Sequence, residues 1–322
     1  MSLLKVIAGA AAGLVIAGQS AIAQEYPARP ITLIVPFAAG GPTDVISRIV
    51  GEHMSRGLGQ QIVVENVVGA GGTTASTKAK NATNDGYTLI TGHMGTHAAS
   101  VALYPNLAYH PSKDFEPISI LAGTPVLILG KKDFAPKDLK EFVTYVKANA
   151  DKLNMAHAGV GSVSHITCLL LNSIIGVNPV AVPFQGTGPA MNALIGGQVD
   201  YMCDQIVNVV PQINAGNIKG YAIGTAERNT ALPNVPTAKE MGLAFEVSAW
   251  NAMFAPKGTP KAALDKLNAA VVKALDDENV RKRLLELGSV IPTKEQRTPQ
   301  ELANLVTKEI DRWTPILKNA PK

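Results

Sequence analysis

A short β-branched run that breaks into small residues and restarts as an amphipathic helix recurs along this chain. That recurrence limits the fold more than any other feature. Ile31 to Val35 is apolar and has the length of a strand rather than a helix. The chain breaks at Pro36, passes through Ala38, Ala39, Gly40 and Gly41, and restarts with Thr43 or Asp44 expected as helix N-cap. Val45, Ile46, Ile49, Val50 and Met54 then recur at helical spacing towards Leu58. Such a turn leaves free backbone N–H groups at a helix start, where an anion can be held, and small residues let a ligand come close. An ordinary βα turn looks the same, so the choice rests on the remaining chain.

The unit repeats. Gln61 to Glu65 reads as a strand, Gly69 to Thr74 as a small-residue loop, and an alanine-rich helix runs to Lys80. Tyr87 to Thr91 is a strand ending in the loop Gly92 to His97. Ile118 to Leu121 and Pro125 to Gly130 are strand-like on either side of Ala122 to Thr124, the expected first crossing between domains. Beyond a helix begun by Ala135, the strand Leu153 to Ala156 meets the loop His157 to His165 and a helix through Ile174. Val177 to Phe184, the loop Gln185 to Pro189 and the helix Ala190 to Ile195 follow, then Val199 to Cys203, a strand reaching Asp204. Lys219 to Thr225 and a helix Thr237 to Met241 complete that half. Phe245 to Ala255, centred on Trp250, carries the chain back, and three helices from Pro260 to Leu317 are expected to pack on the first half.

This alternation predicts an α/β fold of two lobes, each a mostly parallel sheet flanked by helices. The first lobe takes residues 24–124 and 246–322, the second 125–245. Ligands of such sheets bind at the carboxyl ends of the strands, and a cleft between two lobes joined by two crossings is a hinged binding site.

Residues 1–23 read as a cleavable leader. Lys5 supplies the positive start, Val6 to Ile16 the apolar stretch, and Ala21, Ile22 and Ala23 the A-x-A signal. No Cys stands at the cleavage point, so a soluble exported chain is expected, in a bacterial periplasm. Cys168 and Cys203 are an even count for an oxidising compartment, and a disulfide between them is expected; two buried thiols are the alternative. The net charge is +4 with no Lys/Arg block, which argues against nucleic acid as a partner.

The stretch Tyr26 to Phe37 with Gly40, Gly41 and Asp44 resembles the Bug family, the extracytoplasmic solute receptors of tripartite tricarboxylate transporters. So do Gly69 to Gly72, Asp85 to Leu89, Gly159 to Ser162 with His165, and Val182 to Ala190. Gly196 to Asp200, Pro233 to Thr237 and Ala255 to Pro260 extend the likeness over essentially the whole mature chain. The resemblance implies a type II periplasmic binding protein fold that closes on a small organic acid, a di- or aromatic carboxylate. The acid's carboxylate would be held by backbone and hydroxyl groups, partly through waters. Carried over by position, the first-lobe contacts would be Phe37, Ala38, Ala39, Gly40, Gly41, Thr43 and Thr96, and the second-lobe contacts Ser162, His165, Thr187 and Asp204. The resemblance also implies membrane subunits as partners; the receptor is expected to be a monomer without a cofactor.

Two departures stand out. His157 and Ala158 replace the family's two serines before Gly159, and Thr73 and Ala75 replace an Asn and a Gly. His157 either reads the far end of the ligand or packs behind the loop. Asp204 either receives a ligand amine or, as favoured here, accepts hydrogen bonds from its own loop. Other readings are weak. Gly161 to His165 misses G-x-S-x-G because position 165 is not Gly, and no G-x-G-x-x-G, Walker sequence or C-x-x-C occurs. His93 and His97, and His157 and His165, suggest a metal receptor, but His93 and His97 are expected in a loop without fixed geometry. A neutral amide, such as a nicotinamide-like ring, remains an alternative ligand, since hydroxyl and backbone groups also serve amides.

Overall fold

The computed structural model describes residues 25–318, so the expected leader lies outside the described residues. The chain opens with β1 (Ile31–Val35), α1 (Pro42–Leu58), β2 (Ile62–Asn66), α2 (Thr73–Lys80) and β3 (Thr88–His93). After β3 comes a π-helical turn, Gly95–Ala99, and the short α3 (Ser100–Leu103), where a loop was expected. The reason is His93, whose Nδ1 accepts the Gly95 and Thr96 N–H groups at 2.9 and 3.2 Å and so caps the turn.

The expected pair of strands about Ala122 to Thr124 is a single strand, β4 (Phe115–Lys131). Gly123 does not break it, because its N–H and C=O pair with Val290 at 2.8 Å each, and irregular register before Ala122 lets the strand bend. The second half then runs α4 (Leu139–Asn149), β5 (Asn154–His157), α5 (Val163–Ile175), β6 (Val180–Pro183), α6 (Thr187–Ile195), β7 (Tyr201–Gln205), α7 (Ile206–Asn214) and β8 (Ile218–Ile223). The start of α4 is Leu139 rather than Ala135, since the Asp138 side chain caps it by accepting the Glu141 N–H. Helix α7 was not foreseen; Pro211 in its interior hides it. Thr237 to Met241 is a turn, not a helix. Thr237 and Glu240 exchange capping bonds, but Gly242, at φ +81°, ends the coil after one turn. The chain returns through β9 (Ser248–Pro256) and closes with α8 (Lys261–Asp276), α9 (Glu278–Glu286) and α10 (Pro299–Lys318).

The strands line up as β2-β1-β3-β9-β4-β7-β5-β6, with β8 also on β4. The ladders β2-β1-β3 and β7-β5-β6 are parallel, whereas β9, β4 and β8 pair antiparallel. Strand β4 changes partner within one residue: Pro125 pairs with Ser248 of β9, and Val126 pairs with Gln205 of β7. Because successive side chains face opposite ways, each strand feeds two cores. Ile34, Ile90, Phe254, Ile128 and Cys203 belong to one, and Leu33, Leu89, Met253, Leu127 and Met202 to the other. Each core therefore runs through both halves of the sheet.

Cys168 on α5 and Cys203 on β7 form a disulfide, with Cα atoms 5.4 Å apart and a sequence separation of 35. Both are fully buried. Closing a loop of that length removes about 3–4 kcal/mol of unfolded-chain entropy. The double replacement by Ala should therefore lower the thermal midpoint by several degrees, read by circular dichroism against wild type. An unchanged midpoint would contradict this.

Candidate functional site

Four helices begin at one place. Helix α1 starts behind Gly41, α5 behind Ser162, α6 behind Gly186 and α7 behind Gln205. Their first residues, Pro42 and Thr43, Val163 and Ser164, Thr187, and the capping Gln205, line one cavity with Phe37, Ala38 and His93. Each start presents unpaired N–H groups and the positive end of a helix dipole. The cavity is narrow, with about 290 Å³ of empty space that is partly open to solvent. No Lys or Arg lines it. Its one charged lining side chain, Asp44, is paired with Arg48, so the remaining partial charges and hydroxyls suit a small anion.

The first loop is stiffened by Asp44, although neither Asp44 nor Thr43 is the N-cap. That position is Gly41, with Pro42 opening the helix. Asp44 Oδ2 accepts the Gly40 N–H at 3.0 Å, and its carboxylate also accepts from Arg48 Nε and Asn66 Nδ2. Burial alone would raise this carboxyl, but bonds from Arg48, Gly40 and Asn66 outweigh it and hold the pKa below the usual range. The charge is thus spent on the loop. In the second half, Ser162 Oγ accepts the His165 N–H at 3.2 Å and shares a hydrogen bond of 3.2 Å with Ser164 Oγ.

The two halves touch directly around the cavity. Ala38 N–H donates to Gln185 C=O at 3.0 Å. A Cβ on Gly41 would stand 3.1 Å from Thr187 Oγ1. At the mouth, Tyr104 Oη lies 2.9 Å from Ala70 C=O and 2.7 Å from Val160 C=O, bridging the halves. Ala70, at φ +44°, and Gly71, at φ +60°, bring their backbone against Val160 so closely that a Cβ on Gly71 would fall 1.7 Å from its carbonyl oxygen. The two halves are thus in contact on both sides of the cavity.

Of the residues expected at the site, Phe37, Ala38, Gly41, Thr43, Ser162 and Thr187 meet at the cavity. Ala39 and Gly40 are exposed on the loop outside it. Thr96 is fully buried beneath β3, its Oγ1 against His93 N and His97 Nδ1. The His157 and His165 rings lie 4.6 Å apart, and their Nδ1 atoms accept the Gly159 and Gly161 N–H groups. Neither lines the cavity. Burial lowers both pKa values, that of His165 to about 4, so both rings are neutral. Asp204 is wholly buried and accepts from Gln205 N–H at 2.8 Å and Asn208 Nδ2 at 2.6 Å. Burial raises its carboxyl to about 7 despite these bonds.

His93 and Gln205 line the cavity without having been expected there. His93 stacks on Phe37 with centroids 5.1 Å apart, and burial lowers its pKa to about 3. With Nδ1 accepting two backbone donors, the neutral ring carries its proton on Nε2. The only sequence signal for it was its place at the end of a strand. Gln205 ends β7 in the same way, and recognising α7 behind it would have flagged it.

Residues 46–321 match the family described as "Tripartite tricarboxylate transporter family receptor". The chain is similar to "MatC (Rpa3494) from Rhodopseudomonas palustris with bound malate", at 55% identity and TM-score 0.89, over 91% of this chain and 100% of that one. "R. palustris Rpa4515 with adipate" is 31% identical at TM-score 0.87, over 91% and 98% of the two chains. A "UPF0065 protein in the TAR-I ttuE-ttuC' intergenic region" of Agrobacterium vitis is 42% identical over 92% of this chain and 86% of its own length.

Proposed function

Because the chain belongs to the tripartite tricarboxylate transporter receptor family, we propose that it captures a short dicarboxylate in this cavity and hands it to the transporter's membrane subunits. The observation that carries the reading is the convergence of four helix N-termini on a narrow cavity with no basic side chain. A carboxylate suits such a place, since it takes several N–H and O–H donors at once. The relatives with malate and adipate bound support a dicarboxylate, and the narrowness of the cavity favours a short one.

The receptor acts in the periplasm as a monomer, after a leader is removed behind Ala23. The lobes, 24–124 with 246–322 and 125–245, open about β4 and β9 to admit the acid. Phe37, Ala38, Gly41, Thr43, Ser162 and Thr187 contact it directly, and Asp204 holds the α6 and α7 starts in place. The protein binds its acid without chemically changing it.

Thermal unfolding against mono-, di- and tricarboxylates, aromatic acids and neutral amides tests this. An acid at a hundred times its Kd adds about 2.7 kcal/mol, a rise of a few degrees in Tm. The expected response is confined to four- and five-carbon dicarboxylates. A flat response to every acid, with a rise from an amide, would replace the carboxylate with a neutral ligand.

A further inference from the structure

A chain of buried polar groups runs beneath the cavity and ends at Gln205. Thr43 Oγ1 donates to Asn251 Oδ1 at 2.9 Å. Asn251 Nδ2 donates to Gln205 Oε1 at 2.8 Å, and the Thr124 hydroxyl donates to the same oxygen at 2.7 Å. Thr124 lies on β4 and Asn251 on β9, the two strands beside the change of partner, and both are fully buried. In this arrangement the oxygen of Gln205 is taken twice, and its Nε2 has no protein acceptor among the described residues. Gln205 is itself only 3% exposed, and the space it borders is the cavity.

We propose that Gln205 is a ligand-binding residue whose Nε2 donates to a carboxylate oxygen of the bound acid, with Asn251 and Thr124 as the positioning residues that aim it. This rests on the carboxylate reading above and adds a contact to it. With its oxygen taken by the protein, the amide offers its donors to the cavity it borders, and a carboxylate oxygen is the acceptor that holds them best. An amide held this way also discriminates. Turning its oxygen towards a ligand ammonium would require Asn251 to flip as well and the Thr43 and Thr124 hydroxyls to reverse, so the position favours acceptors. Since Thr43 touches the cavity and starts the chain of bonds, the first lobe, both crossing strands and the second lobe share one hydrogen-bonded unit when the cleft is shut.

The test is calorimetric titration of L-malate and of succinate into wild type, Gln205→Met and Gln205→Glu. Removing a hydrogen bond to a charged group should weaken binding about ten- to a hundredfold in the Met variant, and further in the Glu variant, which sets a carboxylate against the ligand. In wild type labelled with ¹⁵N at glutamine, the Gln205 side-chain amide should shift downfield on saturation, a reading that does not depend on how the variants fold. Wild-type binding with variants within threefold and an unmoved amide would overturn the proposal while leaving the receptor reading intact. Wild type that binds neither acid, but binds an amide, would overturn both.

Discussion

Gly71→Ala should weaken dicarboxylate binding at least a hundredfold while leaving the ligand-free protein folded. The added methyl would lie 1.7 Å from the carbonyl oxygen of Val160 and 2.8 Å from its carbonyl carbon. Both are backbone of the other lobe, so no rotamer change relieves the overlap. With the lobes apart the methyl meets the backbone cost of φ +60°, about 1–2 kcal/mol, and the Tyr104 hydroxyl at 3.2 Å, the movable end of a side chain. Closure is thus penalised selectively, and an acid whose affinity comes from the closed form loses what closure contributes. Gly59→Ala is the control: it has a similar φ, +68°, but nothing within 4 Å of the added carbon. Titration calorimetry reads the affinity, and small-angle scattering should show the Gly71 variant failing to contract with acid. Binding within threefold of wild type would mean that the closed arrangement is not the one that holds the ligand.

Acid should unfold the protein steeply between about pH 6 and pH 4, from buried histidines rather than surface ion pairs. Burial is the chief cause of the low pKa values of His93 and His97, about 3 each, and of His165, about 4. In the unfolded chain each returns to near 6.5. Between these limits the unfolded state binds protons that the folded state refuses, so stability falls as pH falls, by about 1.4 kcal/mol per histidine per pH unit. Asp204 opposes this. Its folded value of about 7 exceeds the unfolded 3.8, so between those values the folded state holds the extra proton and gains stability as pH falls. These three against Asp204 leave a net loss of about 3 kcal/mol per pH unit, to which the lowered His157 adds, large beside a total stability of about 5–15 kcal/mol. Urea midpoints at pH 7, 6, 5 and 4 check this. His97→Phe should flatten the slope by one proton, because the ring it replaces stacks on Phe254 at 4.1 Å and its Nε2 is unpartnered among the described residues. A level profile over this range would contradict the assignment.

The β1–α1 unit was legible because its signals are local: a β-branched run, a Pro-Gly break and a helical period within 28 residues of one another, Ile31 to Leu58. Its cap was misplaced because Pro42 tolerates the first helical position, which moves the start back to Gly41. What stayed hidden depends on distance along the chain. Gln205 acquires its orientation from Thr124, 81 residues away, and from Asn251, 46 residues away. The Gly69 to Gly72 run showed that a tight backbone was wanted, but not that Gly71 spares a collision with the opposite lobe. The loop at His93 and His97 was misread for a related cause. His93 caps the turn with its own ring nitrogen, a job that composition assigns to Ser, Thr, Asp or Asn.

The donors that four helix starts present to the cavity belong mostly to the main chain, and a main chain cannot be mutated away. After gene duplication, the side chains around such an anchor are free to drift: a larger residue shortens the acid that fits, a smaller one lengthens it. A main-chain anchor of this kind would keep its hold on an anion throughout, so each copy would remain a working receptor while its menu changes. A transporter family built on this plan can diversify its cargo in single steps without passing through a form that binds nothing.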